Sequence, residues 1–244
     1  MDGTRKRIAA AAGFCLLLAL ILFVTAATVY NIAGDSALMA AEMRRHTSPK
    51  VTGLPDAKYP DMGEMITDYL TGRRETFQYY FTDADGNMTV CFQAHEADHM
   101  ADCRTLIRLT GLLRWPAAAL SLILIIAGVA LRKHRKSFAA GMLVGFGLVA
   151  AAGVAALVWG LISFDSLFTV FHKILFTNNG WLLNPQTDML IRLMPTSFFV
   201  SMGIKVLLAV AAVALVSFSA AMTIRMAGNT DIKEELPEAA ALEA

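Results

Sequence analysis

The chain has 244 residues, of which 56% are hydrophobic and 17% charged, with a net charge of +1 and a mean hydropathy of +0.53. Such an apolar composition excludes a soluble globular domain of this size, and basic residues dispersed along the chain give no nucleic-acid-binding stripe. The composition therefore predicts an integral membrane protein without a nucleic-acid partner.

Four apolar runs are each long enough to cross a hydrocarbon core, which requires about 20 helical residues. They cover residues 8–30, 112–131, 138–164 and 198–224. The first run exceeds the roughly 7 to 15 apolar residues of a signal-peptide core, so it predicts a retained helix. Lys and Arg precede the first run, fill residues 132–136 and follow the fourth run. This distribution predicts that both termini and the 132–136 turn face the cytoplasm.

The predicted fold class is mainly α, a polytopic membrane protein with four transmembrane helices and a small extracytoplasmic cap. The predicted segments are an N-terminal transmembrane helix (1–30), the cap (31–111), a helical hairpin (112–164), an extracytoplasmic re-entrant or interfacial segment (165–197), a fourth transmembrane helix (198–224) and a cytoplasmic tail (225–244). Lys205 is the one ionisable residue clearly inside a spanning run, where it either snorkels or faces the protein interior.

The cap is predicted to be small and mixed in structure. Residues 37–45 and 59–70 are typical of short helices. Residues 76–81 and 88–92 are rich in β-branched and aromatic residues and flank Asp83, Asp85, Gly86 and Asn87, which indicates a β-hairpin. Cys91 and Cys103 both lie in this outward-facing part, where a disulfide is permitted.

Residues 93–109 should form a helix that continues into the second spanning run. His95, Glu96 and His99 in it match HExxH, in which two histidines hold zinc and the Glu activates water. A zinc-dependent membrane metalloprotease is therefore one alternative. The other use of this helix pairs His99 with Asp102, three residues away on the same face, as an imidazole oriented by a carboxylate.

A second polar segment, residues 164–199, lies between the third and fourth runs. Asp165, Thr169 and His172 are spaced by four and three residues, so on a helix they share one face within apolar surroundings. The Asp165 carboxylate could fix the tautomer of His172. Asn178, Asn179 and Gly180 are predicted to stop this helix in left-handed conformations.

A short helix is predicted to follow this break. Thr187 or Asp188 could cap it, and Pro195 would end it after Met194. His99 and His172, on separate segments of the same membrane face, could then meet as a base and an acid at the lipid surface.

The order of elements and two motifs resemble a known family. The string HMADCR at residues 99–104, a spanning helix, a basic turn, another helix and FDSLFTVFHKILFTNNGWLLNPQTDMLIRLMPTSFF at residues 164–199 are similar to the lipoprotein intramolecular transacylases. Cys103 and Arg104 depart from that family, in which an aliphatic residue and Lys are expected. His95 is also outside the family pattern, so the resemblance favours reading HExxH as accidental.

The resemblance implies an enzyme without cofactor that moves the sn-2 acyl chain of a diacylglyceryl-modified N-terminal cysteine to that cysteine's α-amine, giving a lyso-form lipoprotein. It implies catalytic roles for His99 and His172. Supporting roles would fall to Asp102, Asp165, Asn179, Trp181 and Asp188. The implied partners are the lipoprotein N-terminus and membrane lipid. A non-enzymatic transporter or sensor remains an alternative, although transport paths usually need several intramembrane charges.

Overall fold

A computed structural model of the chain describes residues 2–82 and 86–242, with side chains as far as residue 227. The chain is mainly helical. In order, the elements are α1 (Asp2–Gly34), α2 (Ser36–His46), α3 (Pro49–Thr52), α4 (Tyr59–Thr71), β1 (Tyr80–Thr82), β2 (Met88–Val90), α5 (Ala94–Ala130), α6 (Arg135–Ile162), α7 (Phe164–Leu175), α8 (Met189–Leu193) and α9 (Thr196–Leu242). Short 3₁₀ turns at Asp56–Lys58 and Arg132–His134 precede α4 and α6.

Four of these helices are long and apolar enough to cross a membrane: α1, α5, α6 with the turn before it, and α9 as far as Ala227. The prediction of four transmembrane helices is confirmed. All four helices extend past their predicted runs: α1 covers Asp2–Gly34, α5 starts at Ala94, α6 starts at Arg135 and α9 continues to Leu242. The predicted cap helix and the second spanning run are thus one continuous helix.

The chain forms two compact units. The first contains residues 1–25, 114–155 and 208–244. In it α1 and α6 approach closely because each has a glycine at the contact. A Cβ at Gly13 would overlap the Phe138 carbonyl, and one at Gly141 would overlap the Ala10 carbonyl. Small residues of this kind allow membrane helices to pack backbone against backbone.

The second unit contains residues 26–113 and 156–207. Its core is built on α4, where Tyr59, Met62 and Ile66 recur at helical spacing and are fully buried. Gly63 of the same helix lets α4 pack against the start of α2, because a Cβ there would lie 2.7 Å from the Ser36 carbonyl oxygen. The predicted short helices at 37–45 and 59–70 correspond to α2 and α4.

The predicted hairpin is present, but β1 is shorter than residues 76–81. The strands are antiparallel, with Phe81 opposite Thr89. Before β1, the Gln78 side chain takes the place of ladder bonds: its Nε2 donates to the Phe92 carbonyl at 2.8 Å, and its Oε1 accepts from the Phe92 N–H at 3.2 Å. The predicted turn residues Asp83 and Asp85 lie outside the described residues. Gly86 has φ of 85°, a left-handed angle that suits glycine.

A buried carboxylate joins α2 to α9 within the second unit. The Glu42 side chain is 3% exposed and accepts from Ser201 Oγ at 2.6 Å, and Lys205 Nζ lies 3.1 Å from it. Arg45 and His46 contact the same carboxylate at 3.2 and 3.3 Å. Of the two orientations considered for Lys205, the side chain therefore faces the protein interior.

Candidate active site

His99 and His172 lie side by side although they are distant in the chain. His99 is on the first part of α5 and His172 is near the end of α7. Their ring centroids are 6.2 Å apart, and each residue is only 7% exposed. Two imidazoles at this separation can both reach one reacting group with hydrogen bonds of ordinary length. The structure thus brings together the two histidines that the sequence placed on separate segments.

His172 lies in a cage of aromatic rings. The centroids of Phe168, Trp181 and Phe176 lie 4.0, 5.0 and 5.5 Å from that of His172. Burial among these rings lowers the pKa of His172, because the charged form loses water, while the hydrogen bond to the Phe168 carbonyl offsets part of this effect. His172 is therefore neutral at physiological pH.

The tautomer of neutral His172 follows from its hydrogen bond with the Phe168 carbonyl. Its Nδ1 lies 2.7 Å from the Phe168 carbonyl oxygen, which can only accept, so Nδ1 carries the proton and Nε2 carries the lone pair. The predicted orienting role of Asp165 is wrong: Asp165 is exposed and lies seven residues, about 10 Å of helix, before His172. The carbonyl four residues back is closer and takes that role.

His99 has one nitrogen engaged and one open. Its Nε2 lies 3.6 Å from Cys103 Sγ, while its Nδ1 is buried and, among the described residues, has no hydrogen-bond partner. Asp102, predicted to orient His99, instead accepts from Asn178 Nδ2 at 2.8 Å. The Asn178 amide, and not the His99 ring, binds the Asp102 carboxylate because the segment after α7 folds back over α5. A buried polar atom without a partner is uncommon and points to a site that a ligand completes.

The segment between α7 and α8 covers the two rings. The Trp181 ring packs against His172 with the two planes tilted by 33°, and its Nε1 donates to the Asn178 carbonyl at 3.0 Å. Asn178 Oδ1 accepts from the Gly180 N–H at 3.0 Å, which closes a tight turn beside His99. Asn179 is exposed, and its carbonyl accepts from the Leu182 N–H.

The predicted helix stop at 178–180 is wrong in detail. In the described chain positive φ angles occur at Gly53, Gly72 and Gly86 and not in the Asn178–Gly180 turn. The helix ends earlier, at Leu175, because Phe176 is extended and buries its ring against both histidines. The turn that follows is held by side-chain hydrogen bonds and needs no left-handed residue.

Asp188 is buried and occupies the N-cap position of α8, one of the two positions predicted, but its side chain makes no hydrogen bond to the first turn of that helix. Its Oδ2 accepts from the Asn184 N–H at 2.8 Å and contacts His95 Nε2 at 3.0 Å, and its Oδ1 accepts from Thr187 Oγ1 at 2.7 Å. Burial alone would raise the pKa of Asp188, but these hydrogen bonds outweigh it and hold the pKa below its usual range. Asp188 is therefore an ionised, fully bonded carboxylate.

The side chains of the HExxH sequence have separate protein partners. His95 bonds Asp188, His99 contacts Cys103, and Glu96 accepts two backbone N–H groups, from Gln93 and Leu190. Within residues 2–82 and 86–227, no three His, Cys, Asp or Glu side chains are grouped as metal ligands would be. Cys15, Cys91 and Cys103 are free thiols, so the permitted disulfide is not formed.

Two features of this unit were not found from the sequence. The HExxH spacing relates Glu96 to a zinc site, whereas one of its two backbone partners, the Leu190 N–H, is 94 residues away. Glu42 and Lys205 were never paired, because nothing local links residues so far apart. Only the isolated charge of Lys205 in an apolar run pointed to a hidden counter-ion.

The chain was compared with known proteins. The family model described as lipoprotein intramolecular transacylase Lit matches residues 11–199. The chain is similar in structure to the membrane integral lipoprotein intramolecular transacylase Lit from Bacillus cereus, with a TM-score of 0.68 and 16% identity over 94% of this chain and 100% of that one. Two variants of the same protein, with one histidine replaced by Arg or by Ala, match with TM-scores of 0.64 at 17% identity, over 94% of this chain and 96% and 97% of theirs. No curated protein gives a significant sequence match.

Proposed function

The chain belongs to the lipoprotein intramolecular transacylase family, and from this premise we propose how it transfers the acyl group and which residues do so. As a member it is an acyltransferase of the membrane. The substrate that we propose is a bacterial lipoprotein whose N-terminal cysteine carries a diacylglyceryl group. The sn-2 acyl chain moves from its glyceryl oxygen to the α-amine of the same cysteine, so an ester bond breaks, an amide bond forms and a lyso-form lipoprotein results.

His172 is the general base in this proposal. The attacking α-amine has a pKa of about 8 and must lose a proton as it attacks the ester carbonyl. The Nε2 lone pair of His172 is available for that proton because Nδ1–H is already bonded to the Phe168 carbonyl. The lowered pKa of His172 keeps this nitrogen unprotonated at neutral pH. The charged form that develops is stabilised by the same carbonyl.

His99 is the proposed partner at the other end of the reaction. Its buried Nδ1 has no hydrogen-bond partner within the described part of the chain, so it can bind the carbonyl oxygen as negative charge develops, or give a proton to the departing glyceryl alkoxide. No serine or cysteine nucleophile is needed, because amine and ester belong to one molecule and their proximity supplies much of the rate. The surrounding aromatic rings exclude water, which would otherwise hydrolyse the ester.

The supporting residues hold this arrangement in place. Asp102 holds Asn178, whose amide shapes the turn that carries Trp181 onto His172. Asp188 holds the stretch before α8, through the Asn184 N–H, and joins it to His95. Asn179 is exposed beside the turn and is free to meet the lipoprotein peptide, while Asp165 has only a surface role.

We place the histidines on the extracytoplasmic side, with both termini and the 132–136 turn in the cytoplasm. The Lys and Arg residues that flank the four apolar helices support this orientation. Helix α7 agrees with a position at the membrane surface, because its Phe171, Ile174 and Leu175 side chains are exposed. Lipid in the outer leaflet would then contact the helix that carries His172.

The observation that carries the proposal is the pair of buried, adjacent imidazoles, and replacing each tests it. His99→Ala and His172→Ala should each reduce conversion to the lyso form by at least about 10²-fold, since a positioned acid or base contributes about 10² to 10⁴. The double variant should be little worse than either single one if the two act on one transition state. The assay expresses each variant beside a reporter lipoprotein and reads its N-terminal lipopeptide by mass spectrometry.

Membrane insertion of each variant is measured in parallel, so that loss of protein is not taken for loss of chemistry. Full lyso-form production by either histidine variant would remove that residue from the mechanism. Absence of lyso form with the wild-type protein would refute the proposed substrate and leave the assignment to rest on family membership alone.

A further inference from the structure

One buried carboxylate serves two helix ends in the second unit. Glu96 is completely buried, with Oε2 accepting from the Gln93 N–H at 2.8 Å and Oε1 accepting from the Leu190 N–H at 2.7 Å. These N–H groups lie at the starts of α5 and α8, where no intrahelical carbonyl can reach them. A buried carboxylate is costly unless it is bonded in this way. Glu96 therefore ties the start of α8 to the start of α5.

A second set of contacts ties the same two places together. His95 Nε2 contacts Asp188 Oδ2 at 3.0 Å, and Gln93 Nε2 donates to the Thr187 carbonyl at 3.2 Å. Gln93, His95, Glu96, Thr187 and Asp188 form a set that we call the Glu96 cluster. Thr187 and Asp188 belong to the second of the two motifs that carry the family resemblance. Gln93, His95 and Glu96 lie outside both motifs.

The Glu96 cluster holds one end of the segment that covers the histidines. That segment leaves α7 after His172, places Trp181 on the His172 ring at 5.0 Å, and ends at Asp188. Six residues lie between Trp181 and Asp188, so release of the Asp188 end would leave Trp181 held from one side of the segment and allow its ring to shift on His172. The Asn178–Asp102 hydrogen bond would still join this segment to α5.

We propose that the Glu96 cluster is a positioning device for acyl transfer: by fixing the start of α8 to α5, Glu96 and His95 hold Trp181 against His172. This inference rests on the proposed role of His172. His95 and Glu96 of the HExxH sequence are then positioning residues, which act on His172 through Trp181.

Glu96→Gln is the principal variant. An amide places a donor NH₂ against one of two backbone N–H groups, so it can satisfy only one of them. We expect kcat for lyso-form production to fall by about 10²-fold with little change in KM, since a displacement of about 1 Å in a reacting group can have that effect. Asp98→Asn is the matched control, because Asp98 is an exposed carboxylate on the same helix.

His95→Ala tests the same device without the risk to folding, because the His95 side chain is 48% exposed. The expected loss is smaller than for Glu96→Gln, because both N–H contacts of Glu96 remain. His95→Gln should recover activity, because its amide can still donate to Asp188. If His95 served only overall stability, activity would follow the midpoint of thermal unfolding in both variants. Loss of activity in His95→Ala and its recovery in His95→Gln at an unchanged midpoint therefore indicate a positioning role.

The direct readout is fluorine NMR of the full chain in detergent, labelled with 5-fluorotryptophan. The chain has three tryptophans, and Trp181→Phe assigns the Trp181 resonance. Glu96→Gln and His95→Ala should shift or broaden the Trp181 resonance while those of Trp115 and Trp159 stay in place. An unmoved Trp181 resonance in both variants would overturn the proposal, as would wild-type kcat in Glu96→Gln.

This experiment also separates the inference from the proposed function. If His172→Ala kept full activity, the function assigned to His172 would fail. The Trp181 resonance would still show whether the Glu96 cluster positions the covering segment.

Discussion

The Glu42–Lys205 pair gives a prediction whose size follows from burial. Glu42→Gln keeps the shape of the side chain but removes the charge that faces Lys205 Nζ at 3.1 Å. Breaking a buried ion pair by removing one partner costs about 3–5 kcal/mol. Lys205 is 32% exposed and can regain some hydration, so the low end applies and we expect about 3 kcal/mol.

For a chain of this length 1 kcal/mol corresponds to roughly 2–4 °C, so the midpoint of thermal unfolding in detergent should fall by roughly 6–12 °C. Lys205→Met should cost less, because the Glu42 carboxylate keeps its contacts with Ser201, Arg45 and His46. The double variant should be more stable than the sum of the single effects predicts, by about 2 kcal/mol, since contacting residues are not additive.

Acid gives an independent check on the same pair. Burial would raise the pKa of Glu42, but hydrogen bonds from Ser201 and Lys205 and the charges of Lys205 and Arg45 together hold it below its usual 4.5. Its stabilising contribution is therefore complete above the unfolded pKa and is lost as the pH falls through the lower folded pKa. The difference between wild type and Glu42→Gln should shrink below pH 4.5. A Glu42→Gln midpoint within about 1 °C of wild type, or strict additivity in the cycle, would refute the reasoning.

Three further predictions concern the site. Impermeant thiol reagents should label a cysteine placed near His172 from outside and one placed in 132–136 only after permeabilisation, and the reverse pattern would overturn the topology. Asp102→Asn should lower conversion to a level between wild type and the histidine variants because it weakens the bond to Asn178, whereas Asp165→Asn should match wild type in the lipopeptide assay. Conversion should fall as the pH drops below the α-amine pKa of about 8, and more steeply in acid as the pH also drops below the His172 pKa, which lies below 6.5; a steeper acid limb that persists in the residual activity of His172→Ala would exclude His172 as the base.

The spanning helices and the pairing of His99 with His172 could be predicted because both depend on local pattern. Apolar length identifies a span, and two motifs on the same side of four spans must lie near each other. The partners of the imidazoles could not be predicted in the same way. Helical spacing relates side chains to one another and carries no information about backbone groups. It therefore indicated Asp165 and not the Phe168 carbonyl, which is closer to His172.

Contacts between distant parts of the chain account for the remaining differences. Asp102 lies three residues from His99 but bonds Asn178, which is 76 residues away. Gln78 replaces part of a strand because its amide meets the Phe92 backbone across the hairpin. In each case a polar side chain had several partners available, and tertiary packing selected one that spacing does not reveal.

His172 is oriented by a backbone carbonyl and not by another side chain. Every residue at position 168 other than one that breaks the helix supplies that carbonyl, so no substitution can remove the orienting group while leaving α7 intact. A genetic screen for inactive variants should therefore identify substitutions of His172 itself, but no substitution of an aspartate or glutamate that orients its ring. Asp165, the one acidic residue of α7, can therefore be replaced without loss of the orienting group, as long as the helix is kept.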